Sequence, residues 1–272
     1  EEDSVYLERV ERRGAGAPGD IDIACILLPH LSNFDDLDAL KLEAGVRIRF
    51  VAHSHELGHP RAIILPGSKN TLADLAWLRA RGLAEAIVAQ AGAGTPVVGI
   101  CGGYQMLGRR LADPHGVDGC GAGAAAEGLG LLPVDTVFSP TKRTYQARAR
   151  VRARQGFLDR ITGVEVTGYE IHMGVTTGAT SPAVRLERRL GEPVEDFDGG
   201  VDGRGVVAGT YIHGLFANVG LRRAMLDWLA RRKGLTLSYG DDATREAAYD
   251  RLAEVVRSSL DMRMVRDIVG FS

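Results

Sequence analysis

The first hundred residues alternate between short apolar runs and amphipathic stretches. Ile21 to Leu28 is apolar apart from Asp22, the pattern of a parallel strand covered on both faces. Pro29 to Asn33 is a loop, and Asp35 to Glu43 reads as a short helix ended by Gly45. Val46 to Val51 alternates as a strand, and Arg61 to Leu65 is another apolar strand running into Pro66-Gly67-Ser68-Lys69-Asn70. Thr71-Leu72-Ala73-Asp74 reads as a capping box opening a helix that stops near Gly82, and a second helix runs to about Ala91. Thr95 to Ile100 is the next apolar strand, followed by a helix-compatible stretch, Tyr104 to Leu111. This β-α-β-α-β order with short connections predicts an α/β fold, a mostly parallel sheet flanked by helices on both faces. In such sheets sites lie beyond the carboxyl ends of the strands.

The pattern then changes. Asp113 to Gly130 is rich in Gly and Ala and reads as a surface loop. Leu131 to Phe138, Gln146 to Arg154 and Val164 to Ile171 alternate in polarity as an antiparallel extension of the sheet. Glu192 to Gly205 reads as a loop, Gly205 to Ile212 as a strand ending at His213, and Leu221 to Arg232 as an amphipathic helix. Ala243 to Ile268 reads as a longer helical segment, broken once and packed on the outside.

Composition narrows the class. With 272 residues the chain can bury a large core, as one domain or one domain plus an appendage. A net charge of −2 gives no basic surface for nucleic acid or an anionic membrane, so neither is an expected partner. No apolar run approaches the ~20 residues that cross a bilayer, and the acidic start Glu1-Glu2-Asp3-Ser4 is not a secretory signal. Cys25, Cys101 and Cys120 are too widely spaced for a disulfide framework or a zinc site, which fits a reducing cytoplasm.

The chemistry concentrates in a few places. Gly99-Ile100-Cys101-Gly102-Gly103 is a G-x-C-x-G turn between a strand and a helix, the cysteine form of a nucleophile elbow. Small neighbours let the backbone turn sharply, and the helix behind the cysteine favours its thiolate. In Gly209-Thr210-Tyr211-Ile212-His213-Gly214-Leu215-Phe216 a histidine leaves a strand end at the same sheet edge, the natural general base for such a thiol. His172, in Gly168-Tyr169-Glu170-Ile171-His172-Met173-Gly174, is its rival and ranks second, as a pocket residue. Acyl transfer needs two N–H donors for the developing oxyanion. Gly102 supplies one, and the Pro66-Gly67-Ser68 loop the other, from Gly67 or Ser68. The cluster His53-x-His55-x-x-x-His59 and the acids Asp196, Asp198 and Asp202 lack the partners and spacing of metal sites, and no metal is expected. No phosphate loop of the G-x-x-x-x-G-K-[ST] type occurs.

A strand-end Leu-Pro-Gly, a Gly-x-Cys-x-Gly-x-Gln about 35 residues on, and a late strand-end His resemble the class I glutamine amidotransferase domain. The finer wording resembles the C-terminal glutaminase half of cobyric acid synthases: Leu28 to Phe34, Leu65 to Thr71, Gly99 to Gly108, Gly168 to Gly174 and Gly209 to Phe216. The resemblance implies a flavodoxin-like arrangement, Cys101 as nucleophile, His213 as base, and a glutamine pocket near Gln105 and the oxyanion loop. It also implies an N-terminal synthetase domain using ATP and Mg²⁺ to activate carboxylates of a corrinoid acceptor, with no cofactor in this chain itself. Under that organisation residues 1–15 are a linker from the synthetase domain, 16–240 the amidotransferase domain, and 241–272 a C-terminal helical extension packed on it. The pair Lys142-Arg143 is either a partner for the glutamine α-carboxylate or a solvated turn. One departure stands out. Many superfamily relatives carry Glu two residues after the catalytic His, whereas this chain has Leu215. Either a Cys–His dyad suffices, or another group, with Glu170 a candidate, holds the imidazole. Two other functions stay open: the same chemistry serving amidation of a cell-wall lipid precursor, and a silent interaction domain.

Overall fold

A computed structural model describes residues 21–239 and 245–270. The expected linker at 1–15 and the start of the C-terminal extension lie outside the described residues. The first half contains β1 (Ile21–Ile26), β2 (Leu31–Ser32), α1 (Asp38–Lys41), β3 (Val46–Val51), α2 (Ser54–Leu57), β4 (Ala62–Leu65), β5 (Gly67–Ser68), α3 (Thr71–Ala80), α4 (Leu83–Gly92), β6 (Val97–Ile100) and α5 (Gly102–Leu107). The second contains β7 (Arg110–Asp113), β8 (Ala124–Glu127), β9 (Asp135–Val151), β10 (Glu165–Thr177), β11 (Val184–Arg189), β12 (Glu192–Asp198), β13 (Gly200–Val201), β14 (Val207–Thr210), β15 (Ile212–His213) and α6 (Val219–Arg231). Helices α7 (Arg245–Ser259) and α8 (Met262–Val269) follow.

The core sheet runs β13-β14-β6-β4-β1-β3, parallel throughout except for the edge strand β13. Strands β1, β4 and β6 are central and almost wholly buried, as their unbroken apolar runs require. The interruption at Asp22 is paired: Arg47 and Arg49 of edge strand β3 both donate to its Oδ1, at 3.0 and 2.9 Å. At the carboxyl edge, Leu65 lies opposite Gly99, and Ile100 opposite Thr210. That register aligns the exits of β4, β6 and β14.

A second, largely antiparallel sheet runs β12-β11-β9-β10-β15, with β7 pairing β8 and β9. It corrects several expectations. The two strands expected over 131–154 are two pairing segments of β9, interrupted where Ser139 to Lys142 stand opposite Met173 alone. Pro140 sits in this interruption, where no ladder hydrogen bond is required of it. The expected helix to Leu111 ends at Leu107, because the chain turns at Gly108 into β7. The expected surface loop 113–130 contains β8, and the expected loop 192–205 contains β12 and β13. Helix α3 starts one residue early: Asn70 is its cap, accepting from the Ala73 N–H at 3.2 Å, and Thr71 and Asp74 are engaged elsewhere. Within the described residues the C-terminal segment is helical and broken once, at Leu260-Asp261. Leu252, Val255, Leu260, Met264 and Ile268 are all exposed.

Substitutions at two glycines separate close backbone approach from mere helix composition. A Cβ on Gly103 would overlap the Leu65 carbonyl oxygen, whereas one on Gly92, at the end of α4, meets nothing within 4 Å. Gly103→Ala should lower stability by about 3 kcal/mol or more, the upper range for overpacking. Gly92→Ala should be neutral or stabilising by up to about 1 kcal/mol. Urea unfolding of the two variants checks this; equal midpoints would contradict the close approach of α5 to β4.

Candidate active site

Cys101 sits between β6 and α5 with φ 51° and ψ −108°, a conformation that residues with a side chain rarely adopt. Three glycines make the turn possible. A Cβ on Gly99 would press on Leu107 and on the Gly103–Tyr104 peptide, and one on Gly102 would stand 2.8 Å from the Ser68 amide nitrogen. The Cys101 N–H is held by the Thr210 carbonyl at 2.8 Å, so β14 braces the elbow from the side. Sγ lies 3.4 Å from the Ile171 carbonyl oxygen and faces a cavity of ≈ 270 Å³. Ser68, Gln105, Asp118, Lys142 and His172 also line that cavity.

His213 is completely buried. After Thr210 the chain leaves the core sheet and pairs with β10, His213 opposite Tyr169, whose ring stacks on the imidazole at 5.3 Å. Nδ1 lies 2.7 Å from Oδ2 of Asp36, and the other oxygen of Asp36 accepts the Gly214 N–H at 2.6 Å. Nε2 is buried with no hydrogen-bond partner among the described protein atoms. Burial works against a charged imidazole, yet Asp36 and the Cys101 sulfur outweigh it and push His213 up to about 10. That favours the imidazolium form of His213.

The Gly67–Ser68 strand is fixed by its neighbours. It pairs antiparallel with Leu31–Ser32, and the Ser68 hydroxyl donates to Asp74 at 2.6 Å. Asp74, fully buried, also takes the backbone N–H and Nδ1 of His30. Gly67 must be glycine because a Cβ there would lie 2.8 Å from Ser32 Oγ and 3.2 Å from His213 Cε1. Ser68 N and Gly102 therefore meet beside Cys101, where the two oxyanion donors are expected.

Gln105 lines the cavity, with both ends of its amide engaged: Thr71 Oγ1 donates to Oε1 at 3.1 Å and Nε2 donates to the Tyr211 hydroxyl at 3.1 Å. His172 donates from Nδ1 to the Gly174 carbonyl at 2.8 Å and stacks on Tyr211 at 3.8 Å. Of the basic pair, Lys142 lines the cavity, while Arg143 lies opposite His172 in the β9–β10 ladder and is not among the lining residues.

Glu170 is not the group that holds His213. Its oxygens bind Arg189 at 2.7 and 3.1 Å, with His172 Nε2 3.7 Å away. Burial opposes its charge, but His172 and Arg189 prevail and hold its carboxyl down at about 2. The structure instead brings up Asp36 from the loop after β1, and Asp118, which accepts the first two N–H groups of α3, Thr71 at 3.0 Å and Leu72 at 2.7 Å. The signal for Asp36 was an acidic pair, Asp35-Asp36, in the connection that follows the carboxyl end of β1 and therefore on the site's edge of the sheet. Asp118 lay in a Gly-rich stretch with no periodicity to place it. Asp196, Asp198 and Asp202 serve separate ends: Asp196 pairs with Arg189, Asp198 with Thr210 and the Tyr211 N–H, and Asp202 with the N–H groups of Val206 and Val207. Among the described residues no group of three or more His, Cys, Asp or Glu is arranged to hold a metal.

Residues 22–220 match the model of the CobB/CobQ-like glutamine amidotransferase domain. The chain belongs to that family. Cobyric acid synthase from Sorangium cellulosum is 46% identical over 285 residues, covering 99% of this chain and 54% of the relative. Cobyric acid synthase from Moorella thermoacetica is 46% identical over 274 residues, covering 99% and 52%. The chain thus spans about half the length of the curated relatives it matches. Among solved structures, PurLQS from Thermotoga maritima superposes with a TM-score of 0.58 at 17% identity, over 77% of this chain and 99% of that one. A glutamine amidotransferase superposes at 0.52 and 16% identity, over 76% and 98%. These two show the shared fold.

The three thiols differ sharply in setting. Cys25 is enclosed in β1, and burial pushes its thiol far above the ordinary range. Cys120 is exposed, but partial burial and the Asp118 carboxylate raise its thiol. A chloroketone analogue of glutamine should therefore alkylate Cys101 and spare the other two. Peptide mass spectrometry locates the adduct; modification chiefly of Cys25 or Cys120 contradicts the site.

Proposed function

We propose that this chain is the glutaminase part of a cobyric acid synthase, releasing ammonia from glutamine for ATP-dependent amidation of corrinoid carboxylates. The observation that carries the chemistry is the strained Cys101 elbow beside a buried imidazole raised to about 10. The names of the relatives point to the corrinoid acceptor rather than to a cell-wall lipid precursor.

Glutamine occupies the cavity with its side-chain amide at Cys101. The proton of the thiol is held on His213 Nε2, whose raised basicity favours the imidazolium, and Sγ forms a bond to the amide carbon. The carbonyl oxygen becomes an oxyanion facing the N–H groups of Gly102 and the Gly67–Ser68 strand. The His213 imidazolium then protonates the amide nitrogen, the C–N bond breaks, and ammonia leaves a glutamyl thioester. His213 next takes a proton from water as its oxygen attacks the thioester, and returning that proton to sulfur releases glutamate. Lys69 and Lys142 both line the cavity, and Lys142 is the cation assigned here to the substrate α-carboxylate. His172 and Gln105 shape the wall from β10 and α5. The ammonia passes to a synthetase part, for which ATP and Mg²⁺ are the expected reagents. The cytoplasm is the fitting compartment for a nucleophilic thiol that must stay reduced.

In the complete enzyme, Cys101→Ser should abolish glutamine-dependent amidation while ammonium salts still support it. Loss of both activities would contradict the separation of ammonia release from carboxylate activation. His213→Ala should lower kcat by about 10²–10⁴, whereas His172→Ala should chiefly raise KM. Steady-state rates decide; the reverse pattern exchanges their roles.

A further inference from the structure

We infer that Asp36 is the positioning residue for His213, supplied from the loop after β1 in place of the acid absent at Leu215. The inference rests on the glutaminase reading for its consequences in catalysis, but its geometry stands alone. Asp36 is 5% exposed and spends both oxygens on one short segment: Oδ2 on His213 Nδ1 at 2.7 Å, Oδ1 on the Gly214 N–H at 2.6 Å. The first contact holds the ring by Nδ1–H, leaving Nε2 as the nitrogen that exchanges a proton with the thiol. The second fixes the turn, where Gly214 has φ 72°. Leu215, the position where an orienting acid was expected, is buried among apolar side chains and packs in the core. Glu170, the other nearby carboxylate, is committed to Arg189.

The placement of Asp36 also links the base to the oxyanion strand. Ser32 pairs with Gly67, and four residues later Asp36 grips His213. Between them Asn33 takes a left-handed conformation, φ 54°, and donates from Nδ2 to the Tyr169 hydroxyl at 3.0 Å. Tyr169 is the ring stacked on His213. One segment, residues 31–36, thus touches the oxyanion strand, the ring that covers the imidazole and the imidazole itself.

The ionisable groups facing His213 are Asp36 from the turn before α1, Cys101 from the β6–α5 elbow and Tyr169 from β10. Removing the Asp36 charge takes away a stabiliser of the imidazolium, so the ring must lose its proton at lower pH. The test is a ¹⁵N-histidine NMR titration of this chain, with His213 assigned by comparison with His213→Ala. The wild-type ring should titrate near 10. In Asp36→Asn, whose amide oxygen can still accept the Gly214 N–H, the midpoint should fall by about one to three pH units. Glutaminase kcat should fall by about 10-fold or more with KM little changed, and Asp36→Asn should cost nothing further in a His213→Ala background.

A wild-type midpoint at or below the ordinary 6.5 overturns the inference without any variant. So does an unmoved midpoint in Asp36→Asn, or a kcat loss that persists undiminished in the His213→Ala background. A chain that fails to hydrolyse glutamine, yet whose His213 midpoint moves with Asp36, upholds the positioning role and sinks the glutaminase reading.

Discussion

The site depends on how closely one short helix can approach the parallel strands beneath it. Helix α5 begins right after Cys101, and its first two residues are glycines pressed against Ser68 and Leu65. Gly99, one strand position before the turn, is pressed against α5 from the other side, and Gly209 in β14 gives room to the Tyr104 ring. Without a Cβ at these positions the helix drops into the sheet edge and Cys101 is forced to a positive φ. Strain at one residue is tolerable because the core below is wide and dry, with β1, β4 and β6 supplying fully buried Ile, Leu and Val side chains.

The second sheet builds the rest of the site around that buried thiol. Strand β14 stops after Thr210, whose hydroxyl bonds Asp198, and the chain crosses to β10 within one residue. The crossing lowers His213 into the gap between the two sheets, below the level at which solvent reaches it. A buried imidazole alone would be held neutral by desolvation; Asp36 and the Cys101 sulfur together reverse the outcome. The same crossing sets Tyr211 between Gln105 and His172, so the polar wall of the cavity is built from α5 and β10 together. At the interruption of β9 opposite Met173, Lys142 and the adjoining paired residue Phe138 line the cavity.

The parallel half was legible because β1, β4 and β6 are short apolar runs, β3 alternates, and the glycine pattern around Cys101 is local in sequence. His213 was legible for the same reason: strand, histidine and glycine are contiguous. Asp36 was not, because its role exists only through a contact 177 positions along the chain, and Asp35 beside it is equally acidic. Glu170 misled for a related reason. It sits two residues from His172 and one ladder step from His213, but its side chain turns to Arg189, which no periodicity reveals. The middle of the chain read poorly because Ala124–Glu127 and Glu192–Asp198 are half-exposed strands whose small or charged residues carry little β signal.

The central claim is that Cys101, the Gly67–Ser68 strand, Gly102 and the Asp36-held His213 act on one carbonyl group. It is tested most directly by the crystal structure of this chain after reaction with a glutamine chloroketone. The account predicts a covalent bond from Cys101 Sγ to the inhibitor. Its ketone-derived oxygen should lie within about 3.1 Å of the backbone nitrogens of Gly102 and of Gly67 or Ser68, with His213 Nδ1 still on Asp36. An adduct whose oxygen points away from both amides, or a His213 ring released from Asp36, would contradict it.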